Sequence, residues 1–299
     1  MYIYIKEAKN REDLIKKVDM PKFFEKIIIN FKKVFNIITI KKIDELHYLY
    51  IIPKIRNAKI IEGIIKKKGK AKIVLSKELK KYEKQLNLEN ENKIIVYFLY
   101  NILEYIMNIT DMKIELQNLY ILANEYNEKN LQIIKYLAAK VKTVNIVTNN
   151  VKNYNILEEK LYKEQGILIT VANNKNKTLK RAKIIINLDF NNEEINSYKI
   201  NRTSIIINCV KEKMQISYFQ GIIINNIDIF IEKKEIFRQL YREFNEIDIY
   251  NSLKINKTNY IENINEIQQD KIKIKNLVGN NGIIDVKEIA NIQKNLDKI

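Results

Sequence analysis

Glycine, proline and tryptophan are close to missing from this chain of 299 residues, which has six, two and none of them. With so few chain breakers, long segments can run as regular helix or strand. The length allows two domains with separate cores. Cysteine occurs once, at Cys209, and histidine once, at His47. A single cysteine excludes an intrachain disulfide and a thiolate cluster and suits a reducing compartment. A metal site around one histidine would need several carboxylates, and no paired-carboxylate, Ser-His-Asp or Cys-His constellation appears. His47 and Cys209 therefore read as structural residues. A membrane-spanning run is lacking too. The most apolar segment, Ile94–Met107, is shorter than the ~20 residues a span requires and carries Asn101 and Glu104. Met1–Lys6 is not a basic leader followed by an apolar stretch. The expectation is a cytoplasmic protein without a membrane partner.

Lysine, isoleucine and asparagine dominate. All three have AT-rich codons, so the bias describes a genome before it describes a surface. The net charge of +17 rests on 53 basic residues, of which only six are Arg, the residue of bidentate phosphate contacts. The surplus is even along the chain: 25 basic against 15 acidic over 1–118, and 28 against 21 beyond. A solvated lysine surface is the first reading. A lysine-rich nucleic-acid-binding protein is an alternative, and it would bind with steep salt dependence.

Residues 1–92 alternate in type and predict a small α/β domain. Strands are expected at Tyr2–Ile5, Asn36–Ile43, Leu46–Ile55 and Ala71–Leu75, with Pro53 marking an edge or strand end. Helices are expected at Ala58–Lys68 and from Ser76 towards Leu86. The apolar run Phe23–Phe35 fits strand and helix alike. A linking helix over 93–117 follows.

The segment 118–230 is more regular. Leu119–Ala123, Val144–Thr148, Ile167–Ala172, Ile184–Leu188 and Ile205–Cys209 are apolar runs suited to strands buried on both faces, and Gly221–Ile224 is a sixth candidate. Between them, Leu131, Ile134, Leu137, Ala138 and Val141 form one helical stripe. Tyr154, Leu157, Leu161 and Tyr162 form another, ending before Gly166. Strand–helix alternation with short loops predicts a parallel sheet. Residues 231–299 read as a helical segment packing back on the first domain. In it Ile231, Phe237, Leu240, Tyr241 and Phe244 share a face, Gly279 and Gly282 make a tight turn, and Asp285 and Glu288 are spaced to open the last helix.

In order and spacing, Leu119–Phe190 resembles the NAD(P)-binding domain of shikimate dehydrogenase and glutamyl-tRNA reductase. The strand–loop–helix–strand of 119–150 carries the likeness, as does the strand in which Ala182 and an Ile run lead to Asn187. The resemblance implies a Rossmann-like sheet preceded by a smaller α/β domain. It also implies a dinucleotide pyrophosphate at the first turn, where that family has G-x-G-x-x-G. Here the turn is Ala123-Asn-Glu-Tyr-Asn-Glu-Lys, without glycine, and Glu125 and Glu128 stand where a helix N-terminus would receive a dianion. Such carboxylates complement the helix dipole when no phosphate binds. The second strand ends in Thr148-Asn149-Asn150 with Lys152 beyond, so any surviving preference is for NADP.

The expected reading is a non-catalytic protein with no cofactor and a degenerate dinucleotide site. It would take a small ligand or a protein partner at the carboxyl edge of the sheet, lined by Asn124, Glu125, Tyr126, Thr148, Asn149, Asn173, Asn174 and Asp189. An NADP-dependent oxidoreductase with an atypical phosphate loop is the other reading from that resemblance. Asp189, at a strand end, could meet a ligand or cap the helix that opens near Asn191–Glu194.

Overall fold

A computed structural model describes residues 1–15, 21–88, 94–230, 240, 242–246, 248–250, 262, 264–265 and 272–296. The chain divides into one unit of residues 1–90 with 233–255, and another of 91–232 with 256–299.

The first unit is built on β1 (Tyr2–Glu7), β2 (Thr39–Lys42), β3 (His47–Ile52) and β4 (Lys72–Leu75), in the order β2-β3-β1-β4. β1 runs parallel to both β3 and β4, and β2 is an antiparallel edge. Pro53 sits just past β3, where a residue without an N–H costs the ladder nothing. Ile3, Ile5, Tyr50 and Ile52 pack with Leu75 and Leu79 against Ile61 and Ile64. Those last two lie on α3 (Lys59–Lys68), which follows the short α1 (Arg11–Leu14) and α2 (Lys22–Val34). The charged stretch after Ser76 is a 3₁₀ turn, Lys77–Tyr82, in place of the expected helix. His47 is buried, stacked on Tyr2, with Nδ1 2.8 Å from both oxygens of Asp44. The ambiguous run Phe23–Phe35 is the helix α2. It opens behind Pro21, whose φ of −54° already suits a helix, and it ends with Lys32 and Lys33 facing the dipole. Ile29 is its one buried residue.

The second unit opens with α4 (Leu99–Thr110), preceded by a 3₁₀ turn at Ile94–Phe98. Six strands follow: β5 (Asn118–Leu122), β6 (Thr143–Val147), β7 (Ile169–Ala172), β8 (Ile184–Asn187), β9 (Ile205–Asn208) and β10 (Ile222–Ile224). Their order is β10-β9-β8-β5-β6-β7 and every pair is parallel. Counted from β5 as the first strand, that is 3-2-1-4-5-6, the Rossmann order. Crossovers run through α5 (Glu128–Ala138) and α6 (Val151–Gln165), and β7 returns to β8 through a 3₁₀ turn at Thr178–Arg181. All four residues of β8 and of β9 are buried, which is why these strands read as unbroken Ile runs. Gly166 ends α6 with φ +64°, its N–H bonded to the Tyr162 carbonyl. At the start of β10, a Cβ on Gly221 would run into the Ser204 carbonyl, so that position has to be glycine.

The expected helical C-terminal segment has its final helix but also contains strands. β11 (Asn226–Phe230), β12 (Lys273–Gly279) and β13 (Gly282–Ile283) form an antiparallel sheet in that order. The cause is Ile272-Lys-Ile274-Lys, an alternation of period two rather than 3.6. The tight turn is present, with Gly282 at φ +116°. Asp285 then accepts from the Lys287 N–H at the mouth of the final helix, α8 (Val286–Leu296). This helix lies against α4, within its own unit. Of the residues expected to share a face near 231–244, Leu240 and Phe244 are buried; Ile231, Phe237 and Tyr241 lie outside the described residues.

Candidate functional site

In a sheet of this order the chain leaves β5 and β8 in opposite directions, and the carboxyl ends of those strands flank a crevice. The first residues past β5 are Ala123, Asn124 and Glu125; the first past β8 are Leu188 and Asp189. In a nucleotide-binding sheet the backbone N–H groups on the β5 side would point at phosphate oxygens. Here they point at Asp189. Its carboxylate accepts from the N–H of Asn124 at 2.7 Å, the N–H of Glu125 at 2.8 Å and the Asn130 Nδ2 at 3.0 Å. The anion of the crevice belongs to the protein.

Around this carboxylate the strand ends are laced together. Asn124 donates through Nδ2 to Glu194 at 2.7 Å and accepts the Asn149 N–H at 2.8 Å, so one side chain ties the ends of β5 and β6 to the short helix that follows β8. Asn130 also donates to the Glu125 carbonyl, and that carbonyl accepts the Tyr154 hydroxyl at 2.8 Å. Tyr126 meets the Tyr154 ring edge-on at 5.3 Å. The N-terminus of α5 is capped by Asn127, which accepts from the Asn130 N–H, and Glu128 lies in its first turn. Glu194 belongs to α7 (Asn192–Asn196) and forms a capping box with Asn191. Asn191, not Asp189, therefore caps that helix, which leaves Asp189 to the loop across the crevice.

Of the residues expected to line the edge, Asn124, Glu125, Asn149 and Asp189 come together by direct bonds, and Tyr126 joins through Tyr154. Thr148 is at the same edge but buried, its Oγ1 accepting the Asn150 N–H. Asn173 and Asn174 are exposed on the loop after β7, where the Asn174 side chain accepts from Asn176 and Lys177 in a local turn. Three partners escape a reading of the sequence. Asn130 and Tyr154 sit on helix faces that look merely amphipathic, and Glu194 looks like an ordinary first-turn acid.

Burial pushes the Asp189 carboxyl above the ordinary 3.8; the Asn124 and Glu125 N–H groups pull it back, the Glu125 charge pushes it up and Asn130 pulls it back. Burial, with the Asp189 charge behind it, likewise pushes the Tyr154 phenol up. A folded carboxyl that holds its proton more tightly than the unfolded chain contributes most below about 3.8, and that contribution declines as pH rises through the folded midpoint. Asp13 shifts the other way. Its burial is outweighed by the Lys6 side chain, 2.7 Å away, and by the Lys9 N–H, so its carboxyl titrates below 3.8. A carbon-13 titration of the side-chain carboxyls should place Asp189 above and Asp13 below that value; coincident midpoints would contradict both assignments.

The other half of the carboxyl edge is closed by amides. β8 and β9 end in Ile-Ile-Ile-Asn, with Asn187 and Asn208 paired in register, and the Ile-Ile-Ile of β10 is followed directly by Asn225. Asn187 Nδ2 donates to Asn208 Oδ1 at 3.1 Å, Asn208 to Asn225 at 2.8 Å, and Asn225 to Asn280 at 2.7 Å. Asn280 finishes the chain on the Met214 carbonyl. Asn187, Asn208 and Asn225 are buried, and the remaining capacity of the ladder goes to Phe190 and Glu212. The four bonds point the same way, so each polarises the next.

The N–H groups of the turn after β5 are thus engaged by Asp189 with Glu125 beside it, and residues 123–129 contain none of the glycines of a dinucleotide-binding turn.

No protein-family model matches the chain, and no curated protein matches it in sequence. Among solved structures, L-tryptophan dehydrogenase from Nostoc punctiforme is similar over 99% of this chain and 88% of its own, at 9% identity and a TM-score of 0.35. Δ1-pyrroline-2-carboxylate reductase from Thermococcus litoralis, solved with NADH and L-proline, is similar over 70% of this chain and 68% of its own, at 12% identity and a TM-score of 0.25. The strand order, rather than these distant likenesses, identifies the second unit as Rossmann-like.

Proposed function

We propose that the second unit is a non-catalytic Rossmann-like binding domain that takes a small polar ligand without net negative charge at the carboxyl edge of its sheet. The observation that carries this reading is the Asp189 carboxylate seated on the Asn124 and Glu125 N–H groups. An incoming phosphate would have to displace a bonded anion and then sit beside Glu125 and Glu194. The groups left to meet a ligand are the exposed rim of Glu125, Tyr126, Asn149, Asn173 and Asn174.

Thermal denaturation with each nicotinamide cofactor tests the reading. A cofactor present at a hundred times its Kd would stabilise the fold by about 2.7 kcal/mol. The expected result is no shift with NAD or NADP at millimolar concentration, and a shift with a neutral or cationic small molecule from a fragment screen, removed by Tyr126→Ala. A shift with NADP that Lys152→Ala weakens would replace this reading with the oxidoreductase one. Capture of a protein through the same rim would make the edge a partner site.

A further inference from the structure

α2 is inside out for a helix of a folded core. Phe23, Phe24, Ile27, Phe31 and Val34, with Phe35 just past its end, are each between 48% and 76% exposed, while Ile29 on the opposite side is its buried residue. These six positions recur at intervals of three and four, so they share one continuous face. The aromatic rings already touch: Phe31 and Phe35 at 4.6 Å, Phe23 and Phe24 at 5.8 Å. Lys22, Lys26 and Lys33 are exposed along one flank. Lys32, on the other, holds the helix to the unit through the Leu14 carbonyl and Thr39 Oγ1. Over residues 22–42 there are six lysines and one acid, Glu25.

We infer that α2 is an in-plane anchor for an anionic lipid surface. The helix is about 20 Å long, too short to span a bilayer and the right size to lie along one. A phenylalanine-rich face would enter the acyl boundary while the flanking lysines meet headgroup phosphates. The charges argue against a second copy of this chain as the occupant, because two such faces brought together would also bring together their Lys22, Lys26 and Lys33 rims. The absence of a spanning helix among the described residues bears only on crossing a membrane, not on lying at its surface.

The chain has no tryptophan, so Phe31→Trp in the full-length protein installs a single reporter on an already exposed position. Vesicles of phosphatidylglycerol and phosphatidylcholine should blue-shift its emission and carry the protein down on sedimentation. Pure phosphatidylcholine vesicles should do neither. Phe24→Ser, made in the otherwise native chain, should weaken sedimentation about tenfold or more, while circular dichroism confirms the fold. Sedimentation without an emission shift would mean that surface lysines bind and the apolar face does not, overturning the inference. So would a blue shift without vesicles that tracks a dimer mass in light scattering, or no association with the anionic vesicles at all.

Discussion

Asp189→Ala should destabilise the second unit by about 2–4 kcal/mol, the scale for removing a charged acceptor that serves three donors in a half-buried site. The Asn124 and Glu125 N–H groups and the Asn130 amide would all lose their acceptor. Asp189→Asn should recover little, because one carboxylate oxygen becomes an NH₂ that faces a backbone donor. The variant also has a signature that a generic packing defect lacks. Once the internal carboxylate is gone, the two loop N–H groups are open to an external anion, so inorganic phosphate should raise the melting temperature of Asp189→Ala and leave the parent chain unmoved. Unchanged stability on substitution, or equal phosphate response in both proteins, would show that the carboxylate is not what closes the crevice.

Asn208→Leu should cost about 2–4 kcal/mol despite its near-equal volume, because it removes the middle of the amide ladder. Asn225 Oδ1 and the Glu212 carbonyl lose their donor, and the Val210 N–H its acceptor, in a place water does not reach easily. Asn280, at the exposed end of the same ladder, provides the comparison: Asn280→Ala should cost less than about 1 kcal/mol, since water can take the place of its exposed side chain against Asn225 and the Met214 carbonyl. Urea denaturation of the two variants separates the cases. Equal losses would mean that the ladder is a row of independent bonds with no benefit from burial.

The parallel sheet is legible in the sequence because burial on both faces leaves a plain mark, the Ile runs at 184–186 and 205–207, and because Pro53 and Gly166 punctuate the chain where backbone rules require. α2 is not assignable from pattern alone. Its apolar residues include Ile27, Ile28 and Ile29 in succession, which blurs a period of 3.6, and its phenylalanine-rich stripe faces outwards, where core-seeking logic does not look. β12 is hidden for a related reason: an Asn- and Lys-rich stretch masks the alternation of Ile272 and Ile274. At the site, the sequence exposes Asp189 as a strand-end acid and the loop 123–129 as one without glycine. It cannot expose that the two meet, since Asn124 and Asp189 are 65 residues apart. That pairing is a property of strand order, visible only once β5 and β8 are known to be neighbours. The recurrence of Ile-Ile-Ile-Asn stands in plain view, but only register turns three asparagines into one connected chain.

Asn124 has one more consequence. Because it holds Glu194 and the Asn149 N–H while its own N–H holds Asp189, the rim cannot be rebuilt one residue at a time. Neighbours that share partners do not contribute additively. A change towards phosphate binding at this rim would lose fold stability at its first step, before any phosphate contact rewarded it. The lacing makes the crevice hard to remodel by single substitutions.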